Sequence, residues 1–153
     1  MSICLIDTSV FCNILRVPNR HQNATVISSQ LRQYLESETT LLLPVATIIE
    51  TGNHIAQNGD GRQRRATAQR FVTVVKQAID GTAPWTIPQP LFAPEALGEY
   101  LDRFPDSAMS GSGLGDLSII REYERQCKLH PARRIFIWTL DRHLAGHDRS
   151  ASL

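Results

Sequence analysis

Four carboxylates carry the chemical interest of this chain. Asp7 ends the apolar opening run Ile3-Cys4-Leu5-Ile6, and Asp141 ends a second apolar run that begins at Ile135. Asp116 follows a stretch rich in Gly and Ser and opens an amphipathic segment, while Glu50 sits in a segment rich in Ile and Val. Three or four carboxylates without Cys or clustered His are hard oxygen ligands, suited to Mg²⁺ or Mn²⁺ rather than Zn²⁺. Clustered anions repel, and a cation is the usual resolution. The natural chemistry of such a centre is phosphodiester hydrolysis, in which metal activates water and screens developing charge. Ser9, two residues after Asp7, and Thr139, two before Asp141, add hydroxyls beside two of the acids.

Each acid also has a structural role open to it. Asp7 could cap the following turn through Ser9, and Asp116 could be an ordinary helix N-cap. Asp141 could start a turn, and Glu50 could be a solvated helix residue. Against the last, Ala46, Glu50, Asn53 and Gln57 share one helical stripe while Val45, Ile48 and Ile49 point elsewhere.

The elements that must position these acids follow from periodicity and turn chemistry. Residues 3–7 read as a short buried strand ending in a carboxylate, followed by a brief helix or turn at 8–16. Residues 23–38 place Ile27, Leu31, Tyr34 and Leu35 on one helical face. A short apolar run at 40–43 stops at Pro44, and 45–57 is helical, with Pro44 suited to the first turn. Asn58-Gly59-Asp60-Gly61 is a loop. A long helix spans 62–80, an extended stretch 85–90, a short helix 94–104 and a Ser- and Gly-rich loop 105–115. A helix over 116–127 and a strong β-branched strand over 135–140 complete the pattern, with a turn and tail from 142. Short apolar strands alternating with amphipathic helices predict an α/β fold with a parallel sheet covered on both faces. In such sheets the functional crevice lies beyond the carboxyl ends of the strands, where Asp7 and Asp141 project.

Composition narrows the classes. The chain has 153 residues, 42% of them hydrophobic and 20% charged, which predicts one folded domain over 1–153 and no acidic or low-complexity tail. Cys4, Cys12 and Cys127 form neither a disulfide framework nor a zinc site, which fits a reducing compartment. No signal peptide or membrane-length apolar run is visible, so a cytoplasmic protein is expected. The 16 Lys and Arg nearly cancel the 15 Asp and Glu, so any nucleic-acid contact must come from a local patch. The cations are 14 arginines and two lysines. Arg62, Arg64, Arg65, Arg70 and Lys76 cluster on one helix, and Arg133, Arg134 and Arg142 flank the last strand; both groups could track a phosphate backbone. His54 and His143 read as structural or surface residues.

Four stretches, taken in order, resemble the PIN-domain family, and within it the VapC-type toxins of bacterial toxin–antitoxin pairs. They are Cys4-Leu5-Ile6-Asp7-Thr8-Ser9-Val10-Phe11, Ala46-Thr47-Ile48-Ile49-Glu50-Thr51-Gly52-Asn53-His54, Gly113-Leu114-Gly115-Asp116-Leu117-Ser118-Ile119-Ile120 and Ile137-Trp138-Thr139-Leu140-Asp141-Arg142-His143-Leu144. The resemblance places the family's metal-binding acids on Asp7, Glu50, Asp116 and Asp141; Asp7, Asp116 and Asp141 are expected to hold the metal, with Glu50 either completing its shell or orienting the water. Its small polar helper falls on Ser9, where many relatives carry Asn, and its closing threonine on Thr139. It implies a three-layer α/β/α PIN-like fold with a central, mostly parallel sheet. It further implies Mg²⁺- or Mn²⁺-dependent endoribonuclease activity on an RNA substrate, a homodimer, and silencing by a cognate antitoxin. Residues 57–105 match nothing in the family. Trp85, Leu91, Phe92 and Tyr100 are candidates there for a groove that holds the antitoxin, or for core. The rival classes are a PIN nuclease of RNA processing that is not a toxin, a phosphotransferase using an aspartyl phosphate at Asp7, and a non-catalytic nucleic-acid-binding module.

Overall fold

Alternation in the two strongest apolar runs builds the middle of the molecule. In the computed structural model, which describes residues 1–89 and 94–152, β1 (Ser2–Ile6) and β4 (Arg134–Trp138) pair in parallel. Ile3 stands against Ile135 and Ile6 against Trp138. Successive strand residues point to opposite faces. Ile3, Leu5, Ile135 and Ile137 therefore enter one core, while Cys4, Ile6, Phe136 and Trp138 enter the other. β2 (Thr40–Leu42) pairs in parallel with the other side of β1, and β3 (Trp85–Thr86) with β2. β5 (Asp148–Arg149) adds to β4 antiparallel, giving the sheet order β3-β2-β1-β4-β5.

Helices cover both faces. One core joins the sheet to α1 (Thr8–Ile14), α2 (Ala24–Glu36), α3 (Val45–Gln57) and α4 (Gly61–Ile79), through Phe11, Ile27, Ile55 and Ala78. The other joins it to α6 (Leu114–Leu129) through Ile119, Ile120, Tyr123 and Cys127. α5 (Pro94–Met109) packs on α6, where Arg103 forks Glu124 at 3.1 and 3.2 Å and Arg121 pairs with Glu99. The result is the expected α/β architecture of three layers around a mostly parallel sheet. Among the described residues no helix is long and apolar enough to cross a membrane.

Three elements differ from the sequence expectation. α5 continues through Pro105 to Met109, where a loop was predicted from 105. One proline removes one backbone bond, and the packing of α5 on α6 carries the helix past it. α6 begins at Leu114, with Gly113 as its N-cap, so Asp116 is its third residue and not the cap. β5 falls in a segment read as turn and tail. Its two residues are held by the Arg134–Asp148 ion pair at 2.7 Å and by Arg149, which donates to the carbonyls of Cys127, His130 and Arg133.

The topology locates the crevice. From β1 the chain builds outward through β2 and β3 on one side, then returns to β4 on the other. The carboxyl ends of β1 and β4 flank this reversal, where open α/β sheets leave a cleft.

Candidate active site

The register of β1 on β4 sets Asp7 beside Thr139. Asp7 N donates to Trp138 O at 3.0 Å, continuing the ladder one residue past the strands. The Asp7 side chain is buried, 4% exposed, and makes no cap bond to α1. Its Oδ2 instead accepts from Ser9 Oγ at 2.8 Å and from Thr139 Oγ1 at 2.7 Å. Each hydroxyl is itself fixed by the turn after β4: Leu140 N donates to Ser9 Oγ and Asp141 N to Thr139 Oγ1, both at 2.9 Å. Ser9 and Thr139 thus lock one oxygen of Asp7 and hold the backbone that carries Asp141. Asp141 also serves its own turn, with Oδ1 accepting from His143 N at 2.9 Å.

Glu50 arrives from the other side of β1. Buried Thr47, in the first turn of α3, donates to Ile6 O at 2.8 Å and pins the helix to the end of β1. Glu50 lies one turn further along the same face. Its Oε2 accepts from Thr8 Oγ1 at 2.9 Å. The carboxylate lies so close to α6 that a Cβ on Gly115 would collide with Oε1 and stand 2.6 Å from Cδ. Gly115 therefore lets the Glu50 carboxylate approach the backbone next to Asp116.

All four acids line one cleft of about 310 Å³, together with Thr8, Ser9, Arg20, Gln22, Asn23 and His54. Their charges are felt mutually. Burial, opposed by the Thr8 hydroxyl and reinforced by Asp116 and Asp7, raises Glu50 above the ordinary glutamate range. Burial and then Asp7 raise Asp116, with a smaller contribution from Asp141. Among the described residues no three Asp, Glu, His or Cys side chains lie close enough together to form a metal-ligand group. The donor set itself is all oxygen, the chemistry of a Mg²⁺ or Mn²⁺ ligand shell.

The arginines divide. Arg142 follows Asp141 at the rim and is exposed. Arg62, Arg64 and Arg65 are exposed on α4 and do not line the acidic cleft; Arg64 donates to Gly59 O at 2.9 Å. Arg133 and Arg134 do not join the site. They stand at the start of β4, the opposite sheet edge. Arg133 is spent on Met1 O, Ser2 O and Thr40 Oγ1. Arg134 is spent on Asp148 and lies over Phe136, 4.3 Å from the ring centre. Trp85 is core, edge-on to Phe11 at 5.8 Å. Tyr100 lines an apolar groove with Ile49, Leu97 and Leu114 that ends at Glu50. Leu91 and Phe92 lie outside the described residues. Thr8, Thr47 and Gly115, which set Glu50, were not read from the sequence; a glycine one residue before an acid at a helix start was the available signal. Arg20 left none, and His54, which follows the Glu50 stretch, reads from sequence as a structural or surface residue.

The chain matches no protein-family model, no curated protein and no solved structure.

Proposed function

We propose that this chain is a Mg²⁺- or Mn²⁺-dependent endoribonuclease of the PIN type. One observation carries it: four carboxylates from four separate stretches converge on one polar cleft at the switch point of the sheet. Asp7, Asp116 and Asp141 would hold the cation. When bound, it lowers the pKa of water and screens charge on the phosphate.

The chain's own residues do the positioning. Ser9 and Thr139 fix Oδ2 of Asp7, so its other oxygen keeps one orientation. Thr8 fixes Oε2 of Glu50, leaving Oε1 to accept a hydrogen bond from the attacking water and orient it. Water oxygen bonds to phosphorus, the P–O3′ bond breaks, and the products carry 5′-phosphate and 3′-OH ends. Attack by water rather than by the 2′-OH forms no cyclic phosphate. Purified protein should cleave RNA with Mg²⁺ or Mn²⁺ and stop with EDTA; undiminished cleavage in EDTA overturns the mechanism.

The toxin role belongs to the same proposal. A nuclease with an open cleft needs restraint in its own cell, and a co-expressed antitoxin would supply it, on a chain that pairs as a homodimer. Expression of this chain alone should arrest growth, and Asp116→Asn should relieve the arrest. Harmless expression of active enzyme leaves a nuclease of RNA processing instead.

A further inference from the structure

The cleft has a second wall that the hydrolysis does not use. Arg20, Gln22 and Asn23, from the loop between α1 and α2, face the acids together with His54 of α3. This loop is built into the fold. Asn13, 4% exposed, donates from Nδ2 to Ser9 O at 2.8 Å and accepts at Oδ1 from Asn23 N at 2.9 Å. One buried amide therefore ties the loop to the residue that orients Asp7. Arg16 and Asn19 hold positive φ of 52° and 62° to make the turns. Gln22 Nε2 closes on Asn19 O at 2.9 Å.

Arg20 brings a positive charge to this wall of the cleft. Among the described residues no carboxylate pairs with its guanidinium, although the cleft it lines holds four. His54 sits within reach of that charge: burial, and then Arg20, hold it below the ordinary histidine range, which favours the neutral ring. Its Nδ1 is buried without a partner. A proton there would be an unsatisfied buried donor, which is costly. The proton belongs on Nε2, the nitrogen left to serve a ligand in the cleft. An unpaired guanidinium beside an imidazole N–H suits a phosphate, and this pair faces the acidic wall across the same cleft.

We propose that Arg20 and His54 form a phosphate subsite, in which the Arg20 fork and His54 Nε2–H together take the phosphate of a nucleotide flanking the scissile bond of single-stranded RNA. This rests on the nuclease reading of the acidic wall, and it assigns the loop after α1 to seating the strand rather than to chemistry.

The test separates binding from cleavage. Kd for a short labelled single-stranded RNA is measured by anisotropy in the full chain carrying Asp116→Asn, with Mg²⁺ present, over a salt series. KM and kcat are measured without that substitution. Arg20→Gln should weaken binding about tenfold, the usual scale for a lost charge-assisted contact. It should lower the salt slope by about 0.7, one phosphate contact on a single strand. KM should rise by the same factor with kcat little changed. Arg20→Lys should recover part of the affinity, and His54→Gln should weaken binding less than Arg20→Gln does. Arg32→Gln, an exposed α2 arginine outside the cleft, controls for net charge, and circular dichroism confirms folding of each variant. Unchanged Kd, KM and salt slope in Arg20→Gln and His54→Gln overturn the subsite, as does an equal effect of Arg32→Gln. If the chain binds RNA through Arg20 but cleaves none, the nuclease reading falls and the subsite stands. If it binds no RNA, both fall.

Discussion

Asp7 and its three neighbouring acids are held in two different ways, and substitution separates them. Asp7 accepts two hydroxyl bonds at one buried oxygen. Asparagine keeps an acceptor there, so Asp7→Asn should fold and lose cleavage. Asp7→Ala strands both hydroxyls and should cost about 1–3 kcal/mol. Denaturant titration of the two variants distinguishes these outcomes; equal destabilisation would make Asp7 a structural residue only. Glu50 and Asp116 are instead raised by burial and by neighbouring negative charge. A raised carboxylate binds its proton more tightly in the folded chain than in the unfolded one. Stability therefore falls as pH climbs from the ordinary carboxylate range through the raised value, and stays lower above it. Glu50→Gln and Asp116→Asn should each raise Tm in metal-free buffer at neutral pH and give no gain once the solution is acid enough to protonate the native carboxylates. A lowered Tm at neutral pH would mean that burial and neighbouring charge do not penalise these carboxylates in the folded chain.

At the scale of elements, the close approach of α3 to α6 is the feature most open to a single change. Alanine is the better helix former, by at most ~1 kcal/mol in a helix interior, and Gly115 lies in the first turn of α6. The added Cβ would collide with the Glu50 carboxylate, a side-chain end, rather than with backbone. Gly115→Ala should therefore leave stability level or slightly improved while cleavage drops, because the Glu50 carboxylate must swing away. Thr47→Val does the opposite work: it keeps the shape, deletes the bond to Ile6 O and should cost about 1 kcal/mol. Thermal melts and cleavage rates together check both, and a Gly115→Ala enzyme of full activity would free Glu50 of any positional requirement.

The same elements show what the sequence made legible. β1 and β4 were readable because a short unbroken apolar run marks a strand buried on both faces, and α3, readable from its helical period, falls on its predicted bounds. The acids were readable because strand ends place them. The Asp116 cap was misplaced because Gly113, a poorer cap by side chain, holds the N-cap backbone instead. Pro105 and β5 escaped because long-range packing and ion pairs, not local propensity, decide them. Arg133 and Arg134 were read as a phosphate track because composition cannot say which sheet edge a residue occupies. Arg20 was invisible for the same reason: a loop held by Asn13 carries it to the cleft.

For the whole molecule the charges nearly cancel, at +1, yet four carboxylates face one cleft. Their mutual repulsion is a standing cost in the metal-free protein and should make stability respond to divalent cations with a sign set by pH. In EDTA, Tm should decline as pH rises through the raised values of Glu50 and Asp116. A divalent cation binds the deprotonated acids and only in the folded chain, so it should add stability that grows with pH. At a hundredfold excess over Kd this amounts to ~2.7 kcal/mol, or about 5–10 °C for a chain of this size. The two curves should therefore meet in acid and separate toward neutrality. Calorimetry across pH, with Mg²⁺, Mn²⁺ or EDTA, measures both. Asp116→Asn should shrink the gap, since it removes one oxygen ligand and part of the repulsion together. Parallel curves, displaced equally at every pH, would mean that the cation acts elsewhere on the surface and that the four acids do not form one centre.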